Sequence, residues 1–189
     1  MRSRSGFTLL ELLIVIALSV LFSTFVIISG HTGQNGVAMT VEETEISQLI
    51  LRAKSLSITT YTGTGTSGCG DGIHVNPANG TYSLFVYSPS GNICPSFAST
   101  SAAMGFESNE KPYDTQTWNT PVAQGLTLGA GANALEDILF YPPEPEVLVS
   151  QNGNKFLTPA PTSYIYLGTV GGTASATIAV SPTGQVSVQ

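Results

Sequence analysis

Apolar and polar positions divide the chain into three unequal parts. From Leu12 to Ile28 the run LLIVIALSVLFSTFVII holds no charge, proline or glycine. With Phe7–Leu10 before it, the run reaches the roughly 20 residues that a helix needs to cross a hydrocarbon core. No second run of this kind follows. In VEETEISQLILRAKSLSITT, Ile46, Leu49, Ile50, Ala53 and Leu56 recur at helical spacing, which predicts an amphipathic helix whose apolar face packs on a sheet. Glu42, Glu43 and Glu45 come early in it and Arg52 and Lys54 late, the order a helix dipole favours, and these charges read as a solvated face. Between the two segments, GHTGQNG (Gly30–Gly36) holds three glycines, which would loosen or break the helix.

The pattern then changes to short runs rich in β-branched and aromatic residues. GIHV (Gly72–Val75) and TYSLFVYS (Thr81–Ser88) flank NPANG, in which Asn79 and Gly80 give the strongest turn signal, so a hairpin is expected there. Apolar residues lie on both faces of its second strand, as in a strand covered on two sides. Further strands are expected at GLTLG (125–129), DILFY (137–141), EVLVS (146–150), SYIYLG (163–168), SATIAVS (175–181) and QVSVQ (185–189), the last two around the turn PTG. Residues 95–119 show no period and read as a long surface excursion, with Phe106, Tyr113 and Trp118 among its aromatics. No 20 to 50 residue repeat is present.

With 189 residues, 42% hydrophobic and only 10% charged, the chain has room for one domain and an anchor. Its net charge of −6, which becomes −8 without Arg2 and Arg4, argues against nucleic acid as a partner, because phosphate binding draws on clustered Lys and Arg. Thr173–Gln189 holds no Lys or Arg. Arg2 and Arg4 before the apolar run put the amino terminus in the cytoplasm and everything after Gly30 outside. In that exported part Cys69 and Cys94 are either two buried thiols or a disulfide bracketing the hairpin; a bridge would stabilise by roughly 3 kcal/mol.

Two features of the first segment stand apart. A secretory signal places its small-residue cleavage site after the apolar core, whereas Gly6 precedes it; a cut there would keep the helix and leave Phe7 with a free amine. Glu11 interrupts the apolar run, and a carboxylate at mid-bilayer costs on the order of 2.5 to 3.5 kcal/mol. Either it snorkels to the interface, or it accepts a positive partner supplied by a neighbouring helix.

Together these residues, G-F-T-L-L-E with basic residues before and a span after, resemble the cleavage and methylation signature of type IV pilins and type II secretion pseudopilins. The resemblance implies an α+β, pilin-like fold in which a long amino-terminal helix, transmembrane and then amphipathic, packs on an antiparallel β-sheet domain. It implies a leader at 1–6, an assembly helix at 7–30, its amphipathic continuation at 31–60 and an extracytoplasmic β domain at 61–189. By the same resemblance a prepilin peptidase cuts between Gly6 and Phe7, Phe7 is N-methylated, and Glu11 pairs with the Phe7 amine of another subunit. The family often carries a proline in the distal part of the span; this chain has none. LRAKSLSIT, GIHV with YSLFVY, LTLG with ILFYPP, and the terminal hairpin are similar to the GspH/FimT group of minor pilins and pseudopilins. The implied partners are the peptidase, other subunits through the helix, and the bacterial inner membrane, crossed once.

No catalytic pattern accompanies these motifs. GTGTSGCG lacks the setting and the lysine of a phosphate loop, and no G-x-S-x-G occurs. His31 and His74 lack zinc-ligand spacing, and Glu136, Asp137, Glu144 and Glu146 form a late acidic cluster broken by prolines. Neither cofactor nor metal is expected, and the reading is a structural subunit, not an enzyme. The alternatives are a major pilin subunit, or an anchored adhesin that borrows the pilin export route and binds through the 95–119 excursion.

Overall fold

The computed structural model describes residues 8–59, 68–88, 110–114, 116–142, 146–151, 154–157, 161–172 and 174–189. The chain divides into two units, Met1–Val37 and Ala38–Gln189. A single helix, α1, covers Leu9–Thr59. The glycines between Gly30 and Gly36 therefore do not end it: each costs a helix only about 1 kcal/mol relative to alanine, and no proline is present to remove a backbone donor.

In the second unit the predicted apolar face of α1 is buried. Ile46, Ile50 and Ala53 are at most 1% exposed, Leu49 and Leu56 pack at the edge of the same cluster, and Val41, Leu51 and Ile58 on the opposite side are exposed. One acid departs from the expected solvated face: Glu42 is only 4% exposed. It shares its stripe with Met39 and Ile46, at the i−3 and i+4 positions, so the phase that buries those residues buries the carboxylate too.

Eleven strands among the described residues form two antiparallel sheets, the β domain expected from the sequence. The seven-stranded sheet has the order β3(Glu110–Pro112), β2(Thr81–Tyr87), β1(Asp71–Asn76), β6(Leu135–Tyr141), β7(Glu146–Gln151), β8(Asn154–Leu157), with β4(Thr120–Pro121) also on β2. The four-stranded sheet runs β11(Val186–Val188), β10(Ser175–Val180), β9(Ser163–Thr169), β5(Leu126–Gly129). One core joins helix and both sheets: Ile50 and Ala53 from α1, Ile73, Leu84 and Phe140 from the larger sheet, Ile165 and Ile178 from the smaller. Ser57 Oγ donates to the Phe140 carbonyl and so anchors the last turns of α1 to β6.

The expected hairpin is β1–β2, with Asn76 opposite Thr81. Its turn uses Gly80 at φ 63°, where glycine pays no Cβ penalty, and Asn76 Oδ1 accepts the Asn79 N–H at 3.1 Å. Strand β2 lies inside the sheet and is covered on both faces, as its sequence predicts. Between β1 and its neighbours, Gly72 leaves no space for a side chain: a Cβ would lie 2.3 Å from the Ile138 carbonyl oxygen and 2.5 Å from Phe85 Cζ. Gly72→Ala is therefore expected to cost about 1–3 kcal/mol or more, because one obstacle is backbone in the adjoining strand. A shift of the urea midpoint checks this.

The described part of the 95–119 excursion is not a free loop. Its β3 pairs with β2, Tyr113 packs at the main core, and Trp118 packs with Phe85, Tyr87 and Leu139 on the other face of the larger sheet. Phe106 lies outside the described residues.

Candidate functional site

Gly6 and Phe7 lie outside the described residues, so the geometry of this segment begins at Thr8. The Thr8 carbonyl accepts the Glu11 and Leu12 N–H groups at 3.0 and 3.3 Å, and Thr8 Oγ1 accepts the Glu11 N–H at 3.3 Å. Thr8 is thus the N-cap of α1 and Glu11 its third helical residue. Thr-x-x-Glu ahead of an apolar run is the capping-box spacing, a signal present in the sequence and overlooked in the reading above. A carboxylate here also meets the positive end of the helix dipole.

From Leu9 to Val26 the helix has a mean hydropathy of 2.6 and none of it is buried within the chain. Its hydroxyl side chains turn inward on the helix itself: Ser19, Ser23 and Thr24 hydroxyls donate to the carbonyls of Val15, Ser19 and Val20 at 2.8 to 2.9 Å. Every polar group satisfied this way needs no water, the condition for residence in lipid. This segment has the length, apolar surface and internal hydrogen bonding of a membrane helix.

Within the second unit, three polar constellations were not legible from spacing. Glu42 Oε2 accepts the Ala123 N–H at 3.0 Å, tying α1 to the segment before β5. Burial, reinforced by Glu42 and then Glu45, pushes the Tyr82 phenol far above its ordinary range, so it stays protonated. His74, which lacks zinc-ligand spacing, and Asp137 of the late acidic cluster stand opposite each other on β1 and β6, with Nδ1 2.6 Å from Oδ1. Ser83 is the partner of His74 on its other side, so serine, histidine and aspartate share one row across three strands.

That row is not arranged as a nucleophilic triad. Ser83 is 1% exposed, and its oxygen accepts the Asn119 N–H at 2.8 Å. Among the described residues no group of three or more His, Cys, Asp or Glu is placed to hold a metal ion. Glu144 lies outside the described residues.

The Asp114 carboxylate organises the end of the excursion. Its Oδ1 accepts from Thr117 N–H, Thr117 Oγ1 and Gln116 N–H at 2.7, 2.8 and 2.9 Å, and Oδ2 lies 3.6 Å from Arg52 on α1. The Thr117 hydrogen bonds first, and the Arg52 charge last, hold its pKa below the usual carboxylate value. A depressed pKa means that the stabilisation is present above the unfolded-state value and lost as pH falls through the folded one. The local opening of residues 113–118 is thus expected to rise with acidification below about pH 4. In Asp114→Asn the dependence should flatten, which hydrogen exchange at Thr117 across pH measures.

Cys69 is buried and disulfide-bonded, and its N–H donates to the Tyr87 carbonyl at 2.7 Å, at the open end of the β1–β2 hairpin. Cys94, the other cysteine of the chain, lies outside the described residues.

Comparison with known proteins agrees with the amino-terminal geometry. Residues 1–27 match the prokaryotic N-terminal methylation motif. No curated protein matches the chain in sequence. Among solved structures, the minor pseudopilin EpsH from the type 2 secretion system of Vibrio cholerae aligns over 79% of this chain and 94% of its own, at 11% identity and a TM-score of 0.43. At that score the alignment carries no part of the argument. The methylation motif thus covers the exposed apolar stretch from Leu9 to Val26, and an antiparallel β domain follows it in the chain.

Proposed function

We propose that the chain is a structural minor subunit of a type IV pilus or type II secretion pseudopilus, held in the bacterial inner membrane by α1 before assembly. A prepilin peptidase removes residues 1–6 on the cytoplasmic side, and the new amine of Phe7 is methylated. The apolar helix then packs against those of neighbouring subunits, with the β domain outside the membrane. Head-to-tail contacts of this kind do not close and so build a helical filament. In lipid, apolar helices gain little hydrophobic drive from one another, so register falls to side-chain packing and to the pairing of Glu11 with the Phe7 amine of the next subunit. Cys69 and Cys94 form the disulfide that closes the hairpin's open end. The role is architectural, without cofactor or nucleic acid.

The observation that carries this reading is the methylation motif over residues 1–27 set directly on an apolar helix that the chain leaves unburied. Mass spectrometry of the mature amino terminus tests it. The expected product begins at an N-methylated Phe7; an intact Met1, or a cut after the span, would overturn the proposal. The anchored-adhesin alternative is weakened by the inward packing of Tyr113 and Trp118.

A further inference from the structure

Asn79 and Gly80 sit at the tip of the β1–β2 hairpin, and the turn does not use the Asn79 side chain. The loop is closed by the Asn76 carboxamide, which accepts the Asn79 N–H at 3.1 Å, and by Gly80 at φ 63°. Asn79 itself is outside the positive-φ region, so its backbone makes no demand for asparagine. Its side chain is exposed and has no hydrogen-bond partner among the described residues.

A backbone N–H in a folded domain is ordinarily paired. That of Gly80 has no acceptor among the described residues, whereas its carbonyl accepts the Val122 N–H at 3.0 Å. Glycine also leaves the approach open: a Cβ at position 80 would meet only Val122 Cγ2, at 3.8 Å. An amide nitrogen without a partner thus adjoins an exposed carboxamide without one. Asn35 and Gly36 repeat the dipeptide in a different setting, inside α1, where the Gly36 amide belongs to the helical hydrogen-bond ladder. Asn152 and Gly153 lie outside the described residues.

We propose that Asn79 is a site of spontaneous deamidation and isomerisation. The Gly80 nitrogen attacks Asn79 Cγ, a C–N bond forms, and Nδ2 leaves as ammonia with the proton lost by the Gly80 amide. Water then opens the resulting succinimide at either carbonyl, giving aspartate or isoaspartate, and no oxidant or cofactor enters. Either product adds a negative charge to a chain whose net charge is already −6. Isoaspartate also inserts a methylene into the backbone between residues 79 and 80. The Gly80 carbonyl holds the Val122 N–H, beside the Ala123 N–H held by Glu42, so a lengthened turn loosens this segment. The hairpin tip is then an ageing point of the β domain, and its chemistry is independent of membrane insertion or filament assembly.

The test is mass spectrometry of peptides spanning Asn35 and Asn79, with enzymatic methylation of isoaspartate as a second readout. The full-length protein is incubated in detergent micelles at mildly acidic and mildly alkaline pH. Aspartate and isoaspartate at residue 79 are expected to accumulate together, faster at the higher pH because the amide must lose its proton. They should form at least about tenfold faster than at residue 35, whose amide reacts only after the helix opens. Exchange of the Val122 N–H should rise in the modified fraction. Asn79→Gln, whose longer side chain closes a larger ring less readily, should lose the signal. Residue 79 remaining asparagine in folded protein while urea-unfolded protein reacts there would overturn the proposal, as would equal rates at residues 35 and 79. Asn79-Gly80-Thr81 also has the Asn-x-Thr pattern of N-glycosylation, and a glycan found on Asn79 would block the carboxamide and overturn the proposal too.

Discussion

Replacing Glu11 with valine is expected to leave leader removal and membrane insertion intact while lowering incorporation into filaments at least about tenfold. The expectation follows from what an isolated subunit lacks. Glu11 sits in the first turn of α1, whose apolar stretch from Leu9 to Val26 has no cover within the chain, and Glu11 is exposed there. Packed among other helices it would be desolvated, which is costly unless a cation accompanies it, and the Phe7 amine of a neighbour is the proposed one. Valine removes the carboxylate and leaves that amine unpaired.

The capping geometry supplies a competing explanation, and two further variants separate the two. Thr8→Ala removes the N-cap oxygen, worth about 1 kcal/mol, but keeps the charge of Glu11. Glu11→Gln keeps the length and hydrogen-bonding capacity suited to a capping box but has no charge. If pairing sets register, Glu11→Gln behaves like Glu11→Val and Thr8→Ala stays close to wild type. If capping is what matters, the order reverses. Subunit recovered in sheared filaments, relative to subunit retained in membranes, gives the readout; wild-type recovery for Glu11→Val would remove the role assigned to this residue.

The second large effect lies in the globular unit. Ile50→Ala is expected to destabilise it by about 2–5 kcal/mol, and the adjacent Leu51→Ala by no more than about 0.5 kcal/mol. Ile50 is 0% exposed where α1 meets both sheets, so truncation loses transfer free energy and leaves a cavity among side chains from three elements. Leu51 is one position on, about 100° around the helix, and 53% exposed. Trp118, the single tryptophan, belongs to the cluster behind the larger sheet and lies outside α1, so its fluorescence during urea titration reports on the β domain. Comparable losses for both variants would mean that the helix face is misassigned.

These two predictions differ in how much structure they required. The phase that buries Ile46, Ile50 and Ala53 was readable from their spacing, because 3.6-residue periodicity is a property of consecutive residues. Glu42 shows where that reading stops. Its position put it on the buried stripe, but its charge argued for solvent, and only the Ala123 N–H, supplied from a distant segment, decides that a carboxylate can remain there. The hairpin between Asn76 and Thr81 was likewise local, set by turn chemistry. Strands β3, β4 and β8 were not, since short edge strands draw their stability from a partner more than from their own composition.

For this chain the sequence alone determined the amino-terminal segment: a basic start, Gly6 before the apolar core, the capping spacing from Thr8 to Glu11, and one run long enough to span a membrane. Each is a matter of order and composition along a contiguous stretch, and no distant residue alters it. The tertiary structure decided the division into two sheets, the burial of Glu42 and the meeting of His74 with Asp137. Those depend on which strand lies beside which, and at what register. In antiparallel pairing a shift of one residue moves every side chain to the opposite face, so a choice made over the whole domain settles what each of these residues touches.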